Sequence, residues 1–311
     1  MFDTLTEIDQ LTKTLRDVAE LDPEQAQHTV IRVIHGLCQA LLRAERRGVR
    51  SDSVSEALEP ARRLHAQSAF LQRLQTWPRG YPGDFETIEM ICDGEIVSQG
   101  ALARSLEWYA LNSPVAQQHM NKLERQTELL ASAWSEKPDP SILIVGCGGC
   151  RDFHELSRHA LGRVGRVTLN DIDSAALELA LGRVRATGLQ VGVEAGNALR
   201  VVPRLARRER FDLIIAGGIF DYLPDSAARL LLRHSFQALA PGGLFFFTNI
   251  ADKNPYRPWL EHVLNWKLIE RTRSDLDELI DAAGIVPAAA RSYRERTGLT
   301  HLIELRAPSE R

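Results

Sequence analysis

The chain has 311 residues, 44% of them apolar and 25% charged, and a formal net charge of −3. That length holds one large or two ordinary domains with a sizeable core. The charge balance argues against a nucleic-acid binder, whose phosphate contacts show as a basic excess. The arginine-rich RLARRER at 204–210 alternates with apolar residues and reads as a solvated helix face. The start, MFDTLTEIDQ, lacks the basic and apolar regions of a signal peptide, and no apolar run approaches the roughly 20 residues that span a bilayer. A cytoplasmic location is expected, with Cys38, Cys92, Cys147 and Cys150 as thiols.

In chain order, the first 135 or so residues read as helices. In DPEQAQHTVIRVIHGLCQALLRAERRG, Asp22 is the N-cap, Pro23 the first helical residue and Gly48 lies past the end. Val30, Ile31, Val33, Ile34, Leu37, Leu41 and Leu42 recur at helical spacing. A further helix is predicted over about 53–76, then WPRGYPGD at 77–84 breaks the pattern with two prolines and two glycines. Helices resume to about 135, and SEKPDP reads as a linker.

From residue 141 the pattern changes to short apolar strands: SILIVG, RVTLND, QVGVEA, FDLIIAGG and GLFFFTNI, separated by helical stretches. Continuous apolar strands alternating with helices mark a parallel sheet covered on both faces. The tail AAARSYRERTGLTHLIELRA reads as an antiparallel hairpin about Thr297–Gly298. The expected fold is α/β: a Rossmann-like doubly wound sheet, mostly parallel with one reversed strand at its edge, preceded by an all-helical region. The expected division is 1–137 and 138–311.

The segment VGCGGCRDFHEL at 145–156 carries the functional reading. A structural zinc site needs four ligands, and neither Cys38 nor Cys92 belongs to a second CxxC, so no metal is expected. ILIV runs straight into GCGGC, and RDFHELSRHAL continues as a helix. In a parallel sheet such a junction lies at the carboxyl edge, where ligands bind. Gly146 and Gly148 permit the turn and the close approach of a ligand, and the helix start adds unpaired N–H groups. A dinucleotide fold would place a third glycine at Arg151. Asp171, about 20 residues on, is placed to hold ribose hydroxyls. Asp173 caps the next helix, and Asn197 in GNALRVVP is placed to hydrogen-bond an adenine edge.

The series ILIVGCGG, LNDID, GNAL, FDLIIAGGIFDYLPD and ALAPGGLFFFTNI, followed by the hairpin, resembles the class I S-adenosylmethionine (SAM) dependent methyltransferases over about 138–307. The resemblance implies Gly146, Cys147 and Gly148 around the methionine moiety, Asp171 on the ribose diol, Ile172 against the adenine, Asn197 and Ala198 at its edge, and Gly217 in the cofactor site. Ile144 stands where many members have an acid, and Cys150 where many have glycine. A narrower resemblance rests on RGYPGDFETIEMI, CGGCRD, GIFDYLPD, TNI and WKLIERT. These look like the 3-hydroxypalmitic acid methyl ester biosynthesis methyltransferases. It implies esterification of a fatty-acid carboxylate in signal or secondary-metabolite biosynthesis. Methyltransferase-like enzymes that cyclise SAM to azetidine-2-carboxylate and methylthioadenosine share the same residue types.

On RGYPGD, Arg79 is placed to pair the SAM carboxylate, Tyr81 to lay its ring against the sulfonium, and Asp84 to hold the ammonium or cap the next helix. A cation–π contact of that kind is worth roughly 0.5–2 kcal/mol. After the fourth strand, Phe220, Asp221 and Tyr222 are expected near the transferred carbon, with Tyr222 lining the acceptor pocket or sitting in the core. Asn249 is placed to orient a substrate oxygen; Trp259 and Trp266 wall the pocket or belong to the core. Methyl transfer and cyclisation both suit these residues, as does a SAM-binding scaffold without turnover. The partner expected is a small molecule, with no nucleic acid, no membrane span, and a homodimer left open.

Overall fold

The computed structural model describes residues 4–157 and 164–309. The chain packs as two compact units, one running up to Gln117 and including Lys253–Leu268, the other formed by Gln118–Asp252 and the chain from Ile269 onward. This grouping differs from a single cut at 137/138. Helix Pro114–Glu136 passes from one unit to the other because its later residues Leu129 and Leu130 pack into a core cluster of the sheet.

The helical unit holds α1 (Thr4–Asp17), α2 (Pro23–Arg46), α3 (Ser51–His65), α4 (Ala69–Thr76), α5 (Phe85–Asp93) and α6 (Ala101–Asn112). Helix α2 starts as its sequence dictates, with Asp22 accepting from the Glu24 and Gln25 amides and Pro23 behind it. Its stripe Val30, Val33, Ile34, Leu37 and Leu41 is fully buried. The single helix expected over 53–76 is two helices. The first ends at His65, and Ser68 caps α4 through the Leu71 amide while its hydroxyl donates to the buried Glu107 carboxylate. Lys253–Leu268 contributes a five-residue π-helical turn, Trp259–Val263, in place of an ordinary helix. Trp259 is a core residue of this unit: its indole N–H donates to Nε2 of His65 at 3.2 Å, and its ring meets Tyr109 edge-on at 5.6 Å. Trp266 is likewise buried.

The second unit is built on strands β1 (Ser141–Val145), β2 (Arg166–Asp171), β3 (Gln190–Ala195), β4 (Phe211–Ala216), β5 (Leu239–Ile250), β6 (Ala289–Arg294) and β7 (Thr300–Arg306), in the order 3-2-1-4-5-7-6. Beyond α7 (Pro114–Glu136), its helices are α8 (Arg151–Ser157), α9 (Ser174–Arg185), α10 (Ala198–Leu205), α11 (Asp225–Gln237) and α12 (Arg273–Ala282). The expected helix continuation through Arg158–Leu161 lies outside the described residues. Strands β1 to β5 pair in parallel; only β7 is reversed, antiparallel to both β5 and β6. The reversed strand therefore lies one place in from the edge, and β6 is the edge strand.

Alternation on β1 explains its unbroken apolar run. Leu143 and Val145 enter one core cluster, while Ile142 and Ile144 enter the cluster on the opposite face. Strand order reverses between β1 and β4, which opens a crevice at their carboxyl ends. Among the described residues no helix is long and apolar enough to cross a membrane.

Candidate SAM site at the carboxyl edge

The glycine-rich turn after β1 is held open by backbone conformation. Gly146, Gly148 and Cys150 have φ of 62°, 51° and 49°, the left-handed region that glycine enters without strain. A Cβ on Gly146 would sit 3.6 Å from Cβ of Ile219, so the glycine keeps the turn close to the segment after β4. The turn is tied to its neighbours by main-chain bonds. The Cys147 amide donates to the Asn170 carbonyl at 2.9 Å and the Gly148 amide to Oδ2 of Asp171 at 2.8 Å. The Gly196 amide donates to the Asp171 carbonyl at 2.8 Å, and buried Asn170 gives its amide hydrogens to the carbonyls of Glu194 and Gly196. The ends of β1, β2 and β3 thus form one fastened rim, with Asn170 as a clasp that sequence reasoning missed.

On that rim Asp171 is half-buried, and the adjacent Ile172 projects with 69% of its surface exposed. Ile172 thus offers an apolar surface beside a carboxylate at the carboxyl edge of the sheet. Asn197 is exposed, and its side-chain oxygen caps α10 through the Leu199 amide at 2.9 Å. Ala198 is buried. Cys147 and Cys150 are free thiols, and the hydrogen bond to Cys147 together with burial pushes the Cys150 thiol well up, leaving it an inert spacer. Among the described residues no group of three or more His, Cys, Asp or Glu is arranged to hold a metal.

Beyond β4, Gly217 lies against Gln126 of α7: a Cβ there would fall 2.6 Å from Nε2. Gly217 also offers its carbonyl to the Thr248 hydroxyl at 2.9 Å. The following 3-10 turn, Ile219–Tyr222, sends Phe220 into the core against Phe245 and Phe247, away from the ligand edge. Asp221 is buried; its Oδ1 accepts from the Ile250 amide at 2.6 Å and its Oδ2 lies 4.0 Å from Nζ of Lys122. Burial pushes the Asp221 carboxyl up, against the pull of Lys122. Tyr222 ends the turn with 37% of its surface exposed.

Asn249 does not have the substrate-orienting geometry expected of it. Its surface is 0% exposed; its amide donates to the carbonyls of Ile250 and Ile269, and its oxygen accepts from Arg271 at 2.6 Å. It is a structural strut. Asp84 is likewise a structural cap rather than a ligand for an ammonium: it is buried, accepts from the Thr87 amide at 3.0 Å to start α5, and pairs with Arg73 at 2.7 Å. In the same helical unit Arg79 reaches Glu86 at 3.1 Å and stacks over the Phe85 ring, while Tyr81 is half-buried on the turn. The sheet unit brings Gly146, Cys147, Gly148, Asp171, Ile172, Asn197, Ala198, Gly217 and Tyr222 to one edge; Arg79, Tyr81 and Asp84 belong to the helical unit.

A methyltransferase-domain family matches residues 142–243, about a third of the chain. No curated protein sequence matches it. Among solved structures, a possible exported protein from Bordetella parapertussis is 19% identical with a TM-score of 0.63, covering 93% of this chain and 98% of that one. The N-methyltransferase NodS from Bradyrhizobium japonicum WM9, in complex with S-adenosyl-L-homocysteine (SAH), is 21% identical with a TM-score of 0.45, covering 65% of this chain and 92% of its own. Magnesium protoporphyrin IX methyltransferase from Synechocystis PCC 6803, with bound SAH, is 14% identical with a TM-score of 0.48, covering 62% and 85%. The glycine turn and the acid after β2 both fall within the segment 142–243 that matches the methyltransferase-domain family, and the sheet around them has the Rossmann-like fold.

Proposed function

We propose that this chain is a SAM-dependent small-molecule methyltransferase that esterifies a carboxylate of the 3-hydroxy fatty acid type, in signal or secondary-metabolite biosynthesis. The observation that carries the SAM reading is the pair Asp171 and Ile172, a half-buried carboxylate and a 69%-exposed isoleucine beside the glycine turn. Asp171 would accept from the ribose hydroxyls, Ile172 would cover one adenine face, Asn197 and Ala198 would border its edge, and Gly146 and Gly148 leave room for the methionine end. SAM supplies an electrophilic methyl group on a positively charged sulfur.

The chain's part in such a displacement is to align the two reactants and keep water out, effects that contribute about 7–11 kcal/mol of barrier lowering in well-oriented reactions. A carboxylate acceptor is ionised at neutral pH and needs no general base. Two features of the edge favour such an acceptor. Asn249 is an amide, which is no base at neutral pH, and Asp221 is buried with one oxygen accepting from the Ile250 amide and the other facing Lys122. Tyr222 would line the acceptor pocket.

The test is one incubation of the full chain with SAM, with and without a series of 3-hydroxy fatty acids, products read by mass spectrometry. SAH and a methyl ester formed only when acid is added support the proposal. Methylthioadenosine formed from SAM alone overturns it in favour of cyclisation. SAH binding in calorimetry without either product overturns it in favour of a scaffold.

A further inference from the structure

Helix α7 carries a buried polar stripe, Gln118, Lys122 and Gln126, at four-residue spacing against the sheet. Two of the three are accounted for. Gln118 Oε1 accepts from the Thr300 hydroxyl at 2.7 Å, and the Gln126 amide fills the space over Gly217. Lys122 is not. It is 4% exposed, yet among the described residues no acceptor lies within hydrogen-bond distance of its ammonium, and its ion-pair partner Asp221 stands off at 4.0 Å.

The charged groups around it are committed elsewhere. Glu295 accepts from Asn121, Thr297, Leu299 and Thr300. Asp221 gives its other oxygen to the Ile250 amide. Arg271, on the far side of Asp221, is saturated by Asp225, Asn249 and the carbonyls of Phe220 and Leu223. His119, one turn earlier on α7, is held neutral by burial and by Lys122 itself. Burial disfavours the Lys122 ammonium and lowers its pKa, against the pull of Asp221 and Glu295, and a ligand carboxylate would supply the hydrogen-bond acceptor that the protein does not. Its location fits one: Asp221 is two residues from Ile219, which packs on Gly146 of the glycine turn.

We propose that Lys122 binds the carboxylate of the acceptor, an ammonium N–H on one oxygen leaving the second oxygen to attack. This rests on the esterification proposed above. The attacking oxygen's lone pair forms the O–CH3 bond as the S–CH3 bond breaks, and that electron pair returns to sulfur. Carboxylate and sulfonium become a neutral ester and a neutral thioether, with no proton transferred. Lys122 therefore grips the acid more firmly than the transition state or the ester. Its loss should raise KM for the acid without lowering kcat, and product leaves because the charge that held it has gone.

The test titrates the SAH-loaded full chain by calorimetry with 3-hydroxydecanoate and, separately, with its methyl ester, for the native chain and Lys122→Met. The expected result is acid binding weakened about 10- to 100-fold, the loss of one charged hydrogen bond, with ester and SAH binding unchanged. Unchanged acid binding, or equal weakening for acid and ester, assigns Lys122 a structural role and overturns the inference. A native chain that binds SAH but no acid sinks the esterification reading itself, a result visible before any variant is made. Should Lys122→Met lose SAH binding through misfolding, Lys122→Gln replaces it with the same readings, and Lys122→Arg should restore acid binding.

Discussion

Gly217 offers a sharp test of how tightly α7 is seated on the sheet edge. Its backbone lies outside the left-handed region, so alanine is conformationally acceptable there; the obstacle is space. The added methyl would fall 2.6 Å from Nε2, 2.7 Å from Oε1 and 2.9 Å from Cδ of Gln126, against ordinary contacts of about 3.5–4.0 Å. Gln126 is only 8% exposed, so its amide must leave a packed position or push α7 outward. Overpacking of this kind costs about 1–3 kcal/mol. Gln126→Ala removes the three obstructing atoms, and by itself should cost about 1 kcal/mol for lost packing. The double variant should be more stable than the sum of the singles predicts by about 1–2 kcal/mol, because the clash no longer exists. Urea unfolding followed by circular dichroism gives the four stabilities of the cycle. Additivity within about 0.5 kcal/mol would refute the reasoning, since it would mean that Gly217 and Gln126 do not compete for one space.

Asp171→Ala should weaken SAH binding by about 1–3 kcal/mol through lost charged hydrogen bonds, read by calorimetry; unchanged affinity would remove Asp171 from the ribose. His65 is buried, donating from Nδ1 to the Ala61 carbonyl and accepting at Nε2 from Trp259, and burial lowers its pKa from 6.5 to about 4. With the folded value below the unfolded one, its contribution is intact above pH 6.5 and lost as pH falls toward 4, about 3 kcal/mol in all. Relative to the native chain, His65→Gln should show a stability–pH profile flatter by that amount across the window, and parallel profiles would refute the assignment. Asp152 has one carboxylate oxygen without a partner among the described residues, and burial raises its pKa from 3.8 to about 6. Here the folded value is the higher, so the charged form costs stability as pH rises through 6. Asp152→Asn should stabilise the chain by about 2–3 kcal/mol at pH 8 and not at all below pH 4, measured by urea unfolding.

Much of this architecture is written locally. Asp22 and Pro23 announce α2, and SILIV followed by GCGG announces a buried strand opening onto a ligand turn. The failures share one cause, long-range packing. On sequence alone Gln118, Lys122 and Gln126 look like the wet face of an amphipathic helix; only the sheet edge laid against them makes that face interior. Trp259 belongs with His65 and Tyr109 because the chain returns to the helical unit after β5, which no periodicity announces. Asn249 and Asp84 carry the residue types of a catalytic site, and their hydrogen-bond partners assign them to scaffolding.

The place of β7 bears on how the molecule comes into being. It is the seventh strand to leave the ribosome, yet it lies between β5 and β6, made earlier. Until residues 300–306 emerge, β5 keeps a bare hydrogen-bonding edge and β6 has no neighbour to join. An exposed edge of that kind invites pairing with other chains. Pairing of β5 and of β6 therefore waits for this one strand, and products truncated before it should aggregate rather than persist partly folded.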